Sequence, residues 1–196
     1  MSWKYYAPGY GRSGYNFSAY NAIRHIRNTS QWSQHVVDYR QFITDAQAGN
    51  LPAVSWLVQP TEVSDHPPAS VCRGENWTVQ QINATMSNPT LWNSTVVILT
   101  WDDFGGFYDH VVPPRAYNTN LTYGGRAPLI VISPYSKAGF VDHQFYSTAS
   151  ILEFVENNFG LPSLTAVDRQ ANDLVGSLDY TQKPRPPLVL NARGCP

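Results

Sequence analysis

The stretch that most constrains this chain is Thr95-Val96-Val97-Ile98-Leu99-Thr100-Trp101, followed at once by Asp102-Asp103-Phe104-Gly105-Gly106-Phe107-Tyr108-Asp109-His110. The first seven residues are β-branched or apolar and do not alternate. They read as a strand buried on both faces, the pattern of a central parallel strand. Stopping such a strand on two adjacent acids puts both carboxylates at its carboxyl end, where open α/β sheets bind their ligands. Leaving strand geometry frees the two side chains to turn toward one site, and Gly105-Gly106 permits a tight bend beneath them. Two carboxylates can hold a divalent cation. Asp109 and His110 follow a turn later, as supporting groups or as a contact to a phosphate oxygen. On composition alone the same string also fits a polar loop that caps a strand.

The remaining pattern fills in an α/β architecture. Pro128-Leu129-Ile130-Val131-Ile132-Ser133, closed by Pro134, reads as a second strand, and Leu51–Val58 as another. Helical spacing covers residues 17–28 and a segment capped by Ser33 that runs through Val36, Val37, Phe42, Ile43 and Ala46 to Gly49-Asn50. Further helices are predicted over 77–87 and 147–159, the latter stopped by Gly160. Residues 1–15 are aromatic and Gly-rich without a period and read as a loop. The order predicts a central, mostly parallel sheet flanked by helices, in a single domain over residues 1–196 with an extended tail at 180–196.

Composition excludes several classes. Thirteen Lys and Arg stand against fourteen Asp and Glu, for a net charge of -1. No basic excess exists to release counterions, which argues against a nucleic-acid partner held by phosphate contacts. No apolar run reaches the roughly 20 residues of a membrane helix, and the first ten residues have neither the basic nor the apolar region of a signal peptide. Cys72 and Cys195 are too far apart for a CxxC motif, and a disulfide and two unpaired thiols fit the sequence equally. Six N-x-S/T sequons, at Asn16, Asn28, Asn76, Asn83, Asn93 and Asn120, are what chance gives in a chain rich in Asn, Ser and Thr.

A second candidate site lies in Ser64-Asp65-His66-Pro67-Pro68. Pro67 restricts His66 to extended geometry, so its imidazole is held outward. Neutral, it suits a transition metal; protonated, it suits a phosphate oxygen. A surface-turn histidine is the competing reading. Gly74-Glu75-Asn76-Trp77 resembles a metal-ligand pair but fits a helix start, with Glu75 favoured by the dipole in the first turn.

Together these segments resemble one family, the bacterial phosphoesterases that comprise phosphatidylcholine-type phospholipases C and related acid phosphatases. The matching pieces run in order: Gly49-Asn50-Leu51-Pro52-Ala53-Val54-Ser55-Trp56, Ser64-Asp65-His66-Pro67-Pro68 with Gly74-Glu75, Trp101 through Val111, Gly125-Arg126-Ala127-Pro128 leading to Ile132-Ser133-Pro134-Tyr135, and Ser150-Ile151-Leu152-Glu153-Phe154-Val155-Glu156. The resemblance implies a fold similar to alkaline phosphatases and sulfatases and a metal-dependent hydrolase of phosphate esters, with phospholipid among its substrates. It implies Asp102 and Asp103 as ligands of a divalent metal of unassigned identity, His66 and His110 as catalytic groups, and Asp109 and Asp65 in support. The family's Glu-Asn metal pair and its Ser or Thr nucleophile have no counterpart here. By the resemblance the chain corresponds to the C-terminal portion of such an enzyme, lacking an N-terminal half, and the fold is incomplete. The alternative reading is a catalytically inactive remnant that binds a metal or a partner.

Overall fold

The computed structural model describes residues 1–116 and 122–196, so the sequon at Asn120 lies outside the described residues. The chain forms two compact units, residues 1–94 with 186–196, and residues 95–185.

The first unit is built on a parallel sheet of three short strands. In chain order its elements are β1 (Trp3–Ala7), α1 (Arg24–Arg27), α2 (Ser30–His35), β2 (Val36–Asp38), α3 (Gln41–Gln47), β3 (Val54–Leu57), α4 (Val71–Met86) and α5 (Pro89–Trp92). The strand order is β2-β1-β3, with Tyr5 opposite both Val36 and Trp56. The central strand is therefore the aromatic segment expected to be a loop. Its residues sort onto two faces as the pleat requires. Trp3 stacks on His35 at 4.2 Å and Tyr5 on Tyr20 at 4.1 Å. On the opposite face, Lys4 Nζ and Tyr6 Oη both donate to Asp45 Oδ2 of α3, at 2.7 and 2.8 Å. Tyr6 is fully buried and packs edge-on against Phe42, and with Ala46 and Ala84 they form the core of the unit. Burying a side chain of this size stabilises by about 2–3 kcal/mol.

Three further expectations are corrected in this unit. The helix expected from a Ser33 cap through Ala46 splits: Ser33 lies inside α2, which Thr29 caps, and β2 and α3 follow, because Val36 and Val37 pair with β1 and Asp38 accepts the Arg40 N–H to turn the chain. The helix over 17–28 breaks into two 3-10 turns and α1. The helix expected over 77–87 begins at Val71, six residues earlier, so Glu75 lies beyond the first turn and pairs instead with Arg193. The cysteines form a disulfide, with Cα atoms 5.7 Å apart across a separation of 123 residues. In a chain-entropy account, closing a loop of that length stabilises by about 5 kcal/mol.

In the second unit, β4 (Val97–Thr100) and β5 (Leu129–Ile132) pair with each other antiparallel, Val97 facing Ile132 and Thr100 facing Leu129. The expected central parallel strand is thus half of a two-stranded antiparallel ribbon. Its four residues are only half-buried and Ile130, opposite Leu99, is exposed, so the expected burial on both faces is not realised either. Next comes α6 (Thr148–Phe159), with the stop at Gly160 that its sequence predicts, at φ 62°; in addition, Ser147 and Ser150 cap each other's backbone. A short α7 (Ala166–Arg169) follows, capped by Thr165. The observed class is α/β, with a parallel three-stranded sheet and flanking helices.

Asp45 is the polar centre of the first unit. Burial works to raise its carboxyl, but the bonds from Lys4 and Tyr6 outweigh burial and hold it below the ordinary range. A carboxyl lowered on folding stabilises above its unfolded value, and that contribution is lost as pH falls through the folded one. Asp45→Ala should cost about 1–3 kcal/mol at pH 7 by leaving two donors unpaired. The gap between the thermal melts of the variant and the parent chain should begin to narrow below about pH 3.9, the ordinary carboxyl value, and close as pH falls through the lower folded value.

Candidate functional site

The acid pair leaves β4 in a sharply bent loop of the second unit. Thr100 Oγ1 donates to the Pro128 carbonyl at 2.8 Å and ties the two strand ends together. Beyond Trp101, the side chains of Asp102 and Asp103 are exposed. Asp103 Oδ1 accepts the Gly105 N–H at 2.6 Å. Gly105 and Gly106 sit at φ 71° and 73°, in the left-handed region where a side chain costs about 1–2 kcal/mol. The ring of Phe104 lies against Gly125, where a Cβ would come within 2.9 Å of Phe104 Cγ. The bend is thereby fixed at both ends, by backbone conformation and by ring packing.

Asp109 has a defined role. Its Oδ1 accepts from the Val111 N–H at 3.0 Å and from Arg126 Nη2 at 2.8 Å, while its Oδ2 accepts from the Arg126 backbone N–H and Nε, both at 2.9 Å. The Arg126 fork, with the two backbone donors, holds this carboxyl well below the ordinary range. A carboxylate so occupied is a positioning group, joining the loop after β4 to the segment before β5. His110 Nδ1 is 3.9 Å from Asp109 Oδ1, beyond hydrogen-bond reach, and the His110 ring is exposed. Arg126, Phe104, Phe107, Tyr108, Asp109, His110, Ala127 and Pro128 line a cleft of about 400 Å³. Sequence reasoning misses Arg126 as a site residue, and its one signal is its place in Gly125-Arg126-Ala127-Pro128.

His66 and Asp65 belong to the first unit, whereas Asp102, Asp103, Asp109 and His110 belong to the second. The His66 N–H donates to Ser64 Oγ at 3.2 Å. His66 Nδ1 is 2.8 Å from the Pro67 carbonyl. A carbonyl only accepts, so Nδ1 carries the proton in the neutral ring and Nε2 keeps its lone pair. His66 is thus oriented to accept a proton or ligate through Nε2. Asp65 is at φ 65°, and its Oδ1 occupies the space that a Cβ on Gly74 of α4 would take, 1.8 Å away. Its place is that of a wedge between the His66 loop and α4.

Asp102 and Asp103 supply the hard oxygen donors that a divalent ion prefers. Among the described residues, no three His, Cys, Asp or Glu gather into a group able to hold a metal. The donor type fits a metal, but among the described residues the donor count falls short of a complete shell.

Over residues 1–162 the sequence matches the model of the family described as Phosphoesterase family. The chain belongs to the phosphoesterase family. Every candidate residue above lies within the matched span. This phosphoesterase chain is 31% identical over 177 residues to the non-hemolytic phospholipase C of Pseudomonas aeruginosa, covering 74% of the chain and 26% of that protein. It is 32% identical over 185 residues to the hemolytic phospholipase C of the same organism, covering 81% and 25%. It is 30% identical over 170 residues to phospholipase C B of Mycobacterium tuberculosis, covering 74% and 33%. The chain thus spans about a quarter to a third of the length of the curated relatives it matches. No helix among the described residues is long and apolar enough to cross a membrane.

Two substitutions test the positioning roles. Gly74→Ala must displace the Asp65 carboxylate, so it should lower the melting temperature by several degrees and shift the NMR signals of His66. Asp109→Ala should speed hydrogen exchange at the Val111 and Arg126 amides at least tenfold, with exchange in β1 unchanged.

Proposed function

We propose that this chain is the part of a phospholipase C-type phosphoesterase that supplies one half of its metal site, on a fold of the alkaline phosphatase and sulfatase kind. The observation that carries the reading is the exposed Asp102-Asp103 pair, standing at the end of β4 on a bend held by Gly105, Gly106 and the ring of Phe104. The pair would ligate a divalent ion whose remaining ligands come from elsewhere in the enzyme. Asp102 and Asp103 would hold such an ion, and the chemistry it would supply is charge neutralisation at phosphoryl oxygens.

The chain's own residues take the other roles. Arg126, fixed by Asp109, presents guanidinium N–H groups at the wall of the cleft, where a phosphate oxygen is their natural partner. His110 lies in the same wall and can donate to a phosphoryl oxygen or protonate a departing alkoxide. His66, with Nε2 as its accepting nitrogen, serves as a proton acceptor or ligand. The substrate class is a phosphate ester, with phospholipid the case that the names of the relatives suggest.

Two carboxylates do not complete a metal shell, and no hydroxyl here has the family's nucleophile motif. Purified on its own, the chain should hydrolyse p-nitrophenyl phosphate no faster than buffer containing the same metal salt. Robust turnover abolished by Asp102→Ala would overturn the shared-site reading. Grafted in place of the matching stretch of the Pseudomonas aeruginosa non-hemolytic phospholipase C, the chain should support hydrolysis that falls at least 10³-fold with Asp102→Ala or Asp103→Ala. A folded, active graft indifferent to both substitutions would contradict the assignment of the pair.

A further inference from the structure

The segment Pro186–Pro196 belongs to the first unit, although residues 95–185 before it form the second. It is held by one face of α4. Cys72, Asn76 and Asn83 are four and seven residues apart, the spacing that aligns side chains along a helix. Asn76 Nδ2 donates to the Arg193 carbonyl at 2.8 Å, and its Oδ1 accepts the Arg193 N–H at 2.9 Å. Asn83 does the same to Leu190, at 2.8 and 3.0 Å. Each side-chain amide therefore pairs with both backbone groups of one residue, as one rung of a β-ladder would, and asparagine carries the donor and acceptor this needs.

The spacings agree. Seven helical residues rise about 10.5 Å, and three extended residues span about 10 Å, so Asn76 and Asn83 meet tail residues three apart. Leu188 and Val189 remain exposed, and the hold at Leu190 is on the backbone rather than on side chains. Glu75 adds an ion pair to Arg193, and the Cys72–Cys195 disulfide closes the end. Two of the six sequons are thus explained by their asparagines, which bind the tail.

We propose that α4 is a backbone-reading rail for the chain's own segment Leu190–Cys195, and that the disulfide is a lock on this strap that a dithiol opens. One thiolate of the dithiol attacks a cysteine sulfur and releases the other cysteine. Its second thiol then displaces the first cysteine. Cys72 and Cys195 gain two electrons and two protons, and the dithiol becomes a cyclic disulfide. With the strap closed, residues 190–195 are anchored along α4; with the strap released, they leave it. The asparagine rungs make release a reversible step after reduction rather than an immediate consequence of it.

Hydrogen exchange on the full chain, with and without dithiothreitol, tests this. In the oxidised chain the Leu190 and Arg193 amides should exchange at least 100-fold more slowly than in an unstructured peptide. Reduction, or Cys195→Ser, which leaves α4 untouched, should speed them while keeping about tenfold protection. Adding Asn76→Ala and Asn83→Ala to the reduced chain should remove that remainder. Equal rates in reduced chains with and without the asparagines would overturn the rail. Unchanged rates after mass spectrometry shows both thiols reduced would overturn the lock.

Discussion

The positive φ angles of Gly105 and Gly106 are the constraint on which the candidate site depends. A side chain at either position would strain the backbone, so the chain can reverse just after the acid pair only because glycine stands there. The reversal lets Asp103 accept the Gly105 N–H, lays the ring of Phe104 against Gly125 and brings Asp109 to Arg126. Asp102 and Asp103 are left outside the strand pairing, where their carboxylates are accessible. The chemistry proposed for this phosphoesterase chain is thus a consequence of how one strand is ended.

Much of this was legible in the sequence for local reasons. The β-branched run of β4, the double glycine after it and the Gly160 stop each have a short-range physical cause, and each appears in the structure. What the sequence concealed depends on partners distant in the chain. β1 lacks a visible period because its faces are filled by Trp3, Tyr5, Lys4 and Tyr6, whose partners are His35, Tyr20, Asp45 and Phe42. The direction of β4 pairing follows from β5, not from its own residues. Val36 and Val37 fit a helical stripe equally well until β1 offers a backbone to pair with.

The site shows the same division. The acid pair and the outward His66 follow from residue type and local backbone. Arg126 carries no local signal because its role is made by Asp109, seventeen residues before it. Asp65, read from the family resemblance as a supporting group, fills the notch left by Gly74. Asn76 and Asn83 looked like chance sequons, and their function became visible only with the tail in place. His66 lies in the first unit and the acid pair in the second.

The adjacent carboxylates at the end of β4 are proposed to form a metal half-site. Titrating the isotope-labelled chain with Mn²⁺ tests it most directly, because the paramagnetic ion broadens the NMR signals of amides near where it binds. Broadening should be greatest at Asp102 through Gly105, and Asp102→Asn with Asp103→Asn should abolish it. Broadening centred on the acidic residues of α6, or spread evenly over the chain, would contradict the account.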